Sequence, residues 1–170
     1  MIILPIANEN IHLIPDTTNL DIIGNVEISY LDSTFRYAVN YFSNAQASSF
    51  PTSKPKSIFE LNENRFGYVY LDDRNYVGHS IVENRFNNTL YIEDFAIHSD
   101  YRGKGYAHKL MDFIISNSKY NGISLEVQNT NVVAFLFYMK YGFCIGGFDT
   151  LFYENTVQKG DIAIYLYYSI

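Results

Sequence analysis

The stretch Ile97-His98-Ser99-Asp100-Tyr101-Arg102-Gly103-Lys104-Gly105-Tyr106-Ala107 decides how this chain is read. Before it, Thr89 to Ile97 has strand character. After it, Tyr106, Ala107, Leu110, Met111, Ile114 and Ile115 recur at i, i+1, i+4, i+5, i+8 and i+9, which is one face of an amphipathic helix. Lys109, Asp112, Ser116 and Lys119 fall off that face. The stretch therefore joins a strand to a helix start, where several N–H groups lack partners and the helix dipole is positive. Gly103 and Gly105 remove side chains that would keep an anion from the backbone. A bound anion gains ~0.3–1 kcal/mol from the dipole, with direct N–H bonds in addition. The arrangement suits a phosphate. It is not a Walker loop, because no Gly-Lys-Ser/Thr follows at the required spacing, nor a dinucleotide fingerprint, because a third glycine is missing.

Working outward, Arg65 to Leu71 and Tyr76 to Arg85 read as strands around the polar turn Asp72-Asp73-Arg74-Asn75. With Asn87-Asn88 as the next turn and Thr89 to Ile97 as the third strand, they predict an antiparallel meander. Asn121-Gly122 is expected to end the first helix. Ile123, Leu125 and Val127 then alternate with Ser124, Glu126 and Gln128, a strand whose connection through a helix implies parallel pairing. A second helix is expected over about Asn131 to Tyr141, capped by Asn129, Thr130 or Asn131 and ended by Gly142. It is apolar nearly all round and is expected to be largely buried. Phe143 to Phe152 and Asp161 to Ser169 read as two more strands, with Gly146-Gly147 suited to a bulge.

The N-terminal part is less patterned. Ile11 to Pro15 and Val26 to Tyr30 are strand-like. Asp32 or Ser33 could cap a helix over roughly 34–44, with Phe35, Val39 and Phe42 on one face. Ser43 to Ser57, with two prolines and many small polar residues, reads as a loop. The 170 residues suffice for one domain, 1–170, with its own core. A net charge of −6 argues against a nucleic-acid partner and favours a cationic small molecule, although it also serves plain solubility. Sixteen Tyr and thirteen Phe, with no Trp, suit strands and a lined cleft. Cys144 is the only cysteine, so no intrachain disulfide can form and a reduced, cytoplasmic setting is expected. No signal peptide and no membrane span are expected.

Arg102-Gly103-Lys104-Gly105-Tyr106-Ala107 resembles the Arg/Gln-x-x-Gly-x-Gly/Ala signature of the GNAT-type N-acetyltransferases. Phe95-Ala96-Ile97 resembles that family's splayed fourth strand, and Asn131-x-x-Ala134-x-x-Phe137-Tyr138-x-x-Tyr141-Gly142-Phe143 its second signature. Within the family, Tyr91 to Ala96, Leu125 to Asn131, Gly147 to Thr150 and the aromatic C-terminal strand are similar to streptothricin acetyltransferases. The likeness is good over about 60–170 and loose before that. It implies an α/β (α+β) fold with a mixed, mostly antiparallel sheet of six or seven strands, splayed centrally, with helices on both faces. It implies acetyl-CoA as acetyl donor. The main chain of Phe95, Ala96 and Ile97 would pair with the pantetheine arm, and Arg102, Gly103, Lys104, Gly105, Tyr106 and Ala107 would hold the pyrophosphate. Asn131, Ala134, Phe137 and Tyr138 would complete the donor site. The acceptor implied is the β-lysine amine of streptothricin, with another amine, such as a polyamine or a protein N-terminus, or a non-catalytic acetyl-CoA sensor as alternatives.

The chemistry gives reasons for two roles. An alkyl ammonium must lose a proton before it can attack a thioester. Glu93 and Asp94 are the candidates to take it or to bind the substrate cation. Strict strand alternation would point them to opposite faces and favour Glu93, which shares the parity of Phe95 and Ile97, unless a bulge reverses the count. A departing thiolate needs a proton, and a phenol such as Tyr138 holds one at neutral pH. Asp149 and Glu154 are candidates to line a cationic pocket. His12, His79, His98 and His108 show no metal-ligand spacing and read as structural, and no metal is expected. The aromatic C-terminal strand could pair across a homodimer or within one sheet.

Overall fold

A computed structural model describes residues 1–15, 17–30, 37–53 and 61–170. Its elements are β1 (Ile2–Pro5), β2 (Thr17–Tyr30), β3 (Tyr37–Ser53), β4 (Arg65–Asp72), β5 (Asn75–Asn84), β6 (Thr89–Ile97), α1 (Tyr106–Asn117), β7 (Gly122–Gln128), α2 (Val132–Tyr141), β8 (Cys144–Asp149) and β9 (Ala163–Ser169). Seven strands form an open, mostly antiparallel sheet in the order β1-β4-β5-β6-β7-β9-β8, and β2 and β3 pair as a separate ribbon. This is the mixed α/β architecture that the sequence implies. By contacts the chain divides into two compact units: Met1–Thr18, Thr52–Leu125 and Tyr167–Ile170 make the first, Asn19–Pro51 and Glu126–Leu166 the second.

In the first unit the meander forms as expected. Asp73 (φ 55°) and Asn88 (φ 59°) supply the left-handed turn positions, which Asp and Asn tolerate better than most residues. The β4–β5 register runs from Arg65↔Glu83 to Tyr70↔Gly78, so residues 65, 67 and 69 share a face with 79, 81 and 83. On that face Val69, Leu71 and Ile81 pack with Ile6 and Ile14 from the N-terminal segment. On the opposite face Tyr68 and Tyr70 meet Phe113 and Tyr106 of α1 edge-on, at 5.2 and 5.8 Å between ring centroids. Leu110, Met111 and Ile114 of α1 are fully buried, as their spacing predicts. The helix stops at Asn117, short of Asn121-Gly122, with Ser118 as an extended C-cap. Gly122 instead opens β7, where a Cβ would lie 2.9 Å from the carbonyl oxygen of Tyr168.

In the second unit Asn131 caps α2, its Oδ1 accepting from Ala134 N at 3.2 Å, and left-handed Gly142 (φ 116°) ends it. Burial here differs from the sequence expectation. Val132, Phe135 and Tyr138 are buried, but Val133, Leu136 and Met139 are exposed, so α2 covers with one stripe only.

Three N-terminal expectations fail. Residues 37–44 are strand rather than helix, and the expected loop is strand as far as Ser53. Tyr37, Val39 and Tyr41 in fact alternate with Ala38, Asn40 and Phe42, a period-two pattern of β-formers that outweighs the helical one. The capping candidates Asp32 and Ser33, together with Phe35 and 54–57 of the expected loop, lie outside the described residues. Ile11–Leu13 is a short 3₁₀ turn rather than strand.

Candidate functional site

Most candidate residues lie on β6 and the loop after it. The β5–β6 ladder pairs Ile81↔Asp94 and then Val82↔Ile92, so Glu93 is an extra residue on β6, a β-bulge. The parity that favours Glu93 assumes a regular strand and therefore fails. Burial shows the reversal: Leu90 and Ile92 are buried before the bulge, and Ile97 after it, at odd rather than even positions.

The bulge brings both acids to one face. Arg65 Nε donates to Glu93 Oε2 at 2.6 Å and Nη2 to Oε1 at 2.8 Å, a bidentate pair. His79 Nε2 lies 3.1 Å from Asp94 Oδ2, and His79 Nδ1 lies 2.5 Å from the Tyr76 hydroxyl. Arg65 and His79 belong to the same face of the β4–β5 ladder, so their partners do as well. His79 is 2% exposed, whereas the Asp94 and Glu93 side chains keep 21% and 31%. Burial, and then the charge of Asp94, push the Tyr76 phenol well above its ordinary value of 10.0, with Arg102 opposing. His98 stands edge-on to Tyr76 at 6.2 Å.

After Ile97 the chain makes a 3₁₀ turn, Ser99–Tyr101, in which His98 Nδ1 accepts from Asp100 N. Arg102 Nε donates to Ile97 O at 3.0 Å and Lys104 Nζ to Asp100 O at 2.7 Å, fixing the loop on its own backbone. Gly103 (φ 71°) and Gly105 (φ 83°) are both left-handed, and Gly105 is the N-cap of α1. A Cβ at either position would meet no atom within 4 Å, so the space over the first turn is open. The β6–β7 pairs run from Thr89↔Gly122 to Ile92↔Leu125 and stop short of Phe95, Ala96 and Ile97.

The remaining candidates belong to the second unit. Tyr138 is buried on α2, its ring edge-on to Phe137 (5.1 Å) and Phe143 (5.3 Å). Asp149 Oδ1 accepts from Leu151 N at 2.8 Å, capping a turn at the end of β8. Glu154 pairs with Lys159 at 2.5 Å. Among the described residues no three His, Cys, Asp or Glu side chains group to hold a metal, and no helix is long and apolar enough to cross a membrane.

The sequence reading passes over Arg65 and takes His79 as structural only, without seeing that each meets one of the two acids. No local signal marks their meeting: the register set by the Asp72–Asn75 turn alone would pair residue 79 with 68, and the irregularity between Tyr70 and Leu71, like the bulge of β6, is what brings 65, 79 and the two acids to one face.

A glycine-lined helix start after a bulged strand, in an open mixed sheet, is suited to a phosphate-bearing ligand. The family model for the acetyltransferase (GNAT) family matches residues 31–143, and the chain belongs to that family. It is 29% identical over 150 residues to streptothricin acetyltransferase A of Bacillus subtilis (strain 168), covering 86% of this chain and 87% of that protein. It is 34% identical over 113 residues to an Escherichia coli streptothricin acetyltransferase, covering 64% and 65%. Its fold matches a Bacillus anthracis str. Ames protein assigned as a streptothricin acetyltransferase and crystallised with acetyl coenzyme A. The TM-score there is 0.82 at 25% identity, over 99% of both chains.

Proposed function

We propose that residues 1–170 act as one N-acetyltransferase domain that moves the acetyl group of acetyl-CoA to a primary amine of a small cationic molecule, the β-lysine amine of streptothricin. The observation that carries the donor half is the open, left-handed glycine pair at the head of α1. A side chain at either glycine would fill the space that a pyrophosphate needs. In this reading the N–H groups of Arg102 to Ala107 hold the pyrophosphate. The main chain of Phe95 to Ile97 pairs with the pantetheine arm. The Asn131 side chain, whose oxygen caps α2, offers its NH2 group to the same arm, and Ala134 and Phe137 line it. Acetyl-CoA supplies an activated thioester. The chain's own residues bind it, exclude water, hold the amine and move protons.

The acceptor half rests on Glu93 and Asp94, which the bulge gathers on one face, and on the chain's net charge of −6. Two carboxylates close together bind a cationic amine and provide an acceptor for its proton. Asp149 is the further acid proposed for the substrate. Tyr138 gives its hydroxyl proton to the departing sulfur. The full-length relatives support streptothricin as the acceptor.

The test is incubation of purified protein with acetyl-CoA and streptothricin, following thiol release and the mass of the product. A panel with a polyamine and a peptide N-terminus runs alongside. Transfer to streptothricin in preference to the panel is expected. Transfer only to another amine would overturn the substrate, and acetyl-CoA binding without any transfer would overturn the enzyme.

A further inference from the structure

The geometry points to a division of labour between the two acids: Tyr76 and His79 are positioning residues that hold Asp94 as the acceptor of the amine proton, while Arg65 commits Glu93 to holding the substrate cation. This assignment rests on the acetyl-transfer reading above and deepens it.

The argument begins with what each carboxylate already does. Both oxygens of Glu93 receive N–H groups from one guanidinium, at 2.6 and 2.8 Å. Protonating either oxygen would break half of a bidentate pair, which makes this acid a poor proton acceptor and a well-oriented anchor for positive charge. Asp94 has a different partner. Its Oδ2 meets Nε2 of a buried imidazole whose other nitrogen meets a half-buried phenol. The Tyr76 phenol holds its proton more tightly than usual because it is buried, and because Asp94 is near. The Asp94 carboxylate can only accept, which places the ring hydrogen on Nε2, aimed at it, and leaves Nδ1 to accept from the Tyr76 O–H. A single tautomer thus fixes one orientation of the carboxylate, and the Asp94 side chain keeps more exposure than the imidazole behind it.

Asp94 meets His79 of β5, whose partner Tyr76 also feels the charges of Asp94 and Arg102; beside it are Glu93 with its partner Arg65 of β4, and His98 of the following loop stands against Tyr76. The ammonium passes one proton to Asp94, and the resulting neutral amine forms the bond to the acetyl carbon as the carbon–sulfur bond breaks. The second nitrogen proton balances the one that the thiolate takes. On product release Asp94 returns its proton to water. The Nε2–H orients the carboxylate, and replacing its donor removes a hydrogen bond to the charged form.

Two measurements test this. The ring nitrogens of His79, read by 15N NMR without substrates, should show the neutral Nε2–H tautomer, and Tyr76→Phe should disturb it. Acetyl transfer against pH should show an acidic limb that moves up by about one unit in Tyr76→Phe and His79→Leu. His79→Gln, which can still donate to Asp94, should move it back. Asp94→Asn should lower kcat by about 10²–10⁴-fold, whereas Glu93→Gln and Arg65→Met should chiefly raise KM for the amine. An Nδ1–H tautomer or an imidazolium at neutral pH would overturn the positioning, as would an acidic limb that ignores both Tyr76→Phe and His79→Leu. A kcat loss in Glu93→Gln exceeding that of Asp94→Asn would reverse the division of labour. If wild-type protein binds acetyl-CoA but acetylates no amine, the acetyl-transfer reading fails and takes the proton role with it, while the tautomer result still decides the geometry.

Discussion

Replacing Gly105 by alanine separates the cost of backbone strain from the cost of filling a binding site. Gly105 has φ 83° at the N-cap of α1, and an L-residue there loses about 1–2 kcal/mol. Alanine also restricts the unfolded chain, which returns about 0.4–1 kcal/mol. No atom lies within 4 Å of the new Cβ, so no packing term is added. The net destabilisation is therefore about 1 kcal/mol, or a Tm lower by about 2–4 °C for a chain of this size. Binding should suffer more. A methyl group over the first turn would deny a pyrophosphate at least one charge-assisted N–H bond, worth about 1.5–3 kcal/mol, so acetyl-CoA affinity should fall by about 10–100-fold. Calorimetric titration with acetyl-CoA, beside thermal unfolding, reads both numbers. Gly67→Ala is the control, because its Cβ would meet Ser80 O at 2.5 Å and Ile6 and Ile81 Cδ1 at 2.8 Å. It should cost about 1–3 kcal/mol of stability through overpacking and leave the affinity of the folded fraction intact. Wild-type affinity in a folded Gly105→Ala protein would refute the pyrophosphate assignment.

Three further outcomes are expected. Tyr138→Phe keeps the ring contacts to Phe137 and Phe143 and removes only the hydroxyl, so kcat should fall by about 10²–10⁴-fold; a rate near wild type would remove Tyr138 from the chemistry. Asn131→Ala deletes the cap bond to Ala134 N and should cost about 1 kcal/mol, visible as a lower Tm even without ligand. Stability should also fall in alkali. Tyr76, Tyr68 and Tyr70 are all raised above 10.0 in the folded chain, chiefly by burial, so above that pH the unfolded state releases protons that the folded state retains. The contribution is fully present below pH 10 and is lost as pH rises toward the folded values. Thermal unfolding from pH 8 to 11 should show the decline, and Tyr76→Phe should flatten it.

The first three meander strands and both helix starts were legible because local chemistry and fold agree there. Asp73 and Asn88 sit at left-handed turn positions, Gly105 opens α1, and Asn131 and Gly142 bracket α2. What was not legible had no local marker. The residues from 37 to 44 satisfy both helical and strand spacing, and only pairing with β2 decides between them. The end of α1 has no glycine at its C-cap, so the nearest Asn-Gly was a false stop. The exposed stripe Val133, Leu136 and Met139 shows that apolarity all round a helix does not guarantee burial all round it.

The bulge at Glu93 has the largest chemical consequence of these missed features, and it follows from a single extra residue. A strand without it would send two consecutive carboxylates to opposite faces, one toward the α1 side with Tyr68 and Tyr70 and the other toward Arg65 and His79. With it, both arrive where β4 and β5 already offer a guanidinium and an imidazole. Each acid then acquires a different partner, and different partners give chemically similar groups different tasks. The same register shift changes which side chains of Phe95 and Ile97 turn inward just before the glycine-lined loop. One backbone irregularity thus sets both the face that carries the two acids and the approach of the strand to the glycine-lined turn.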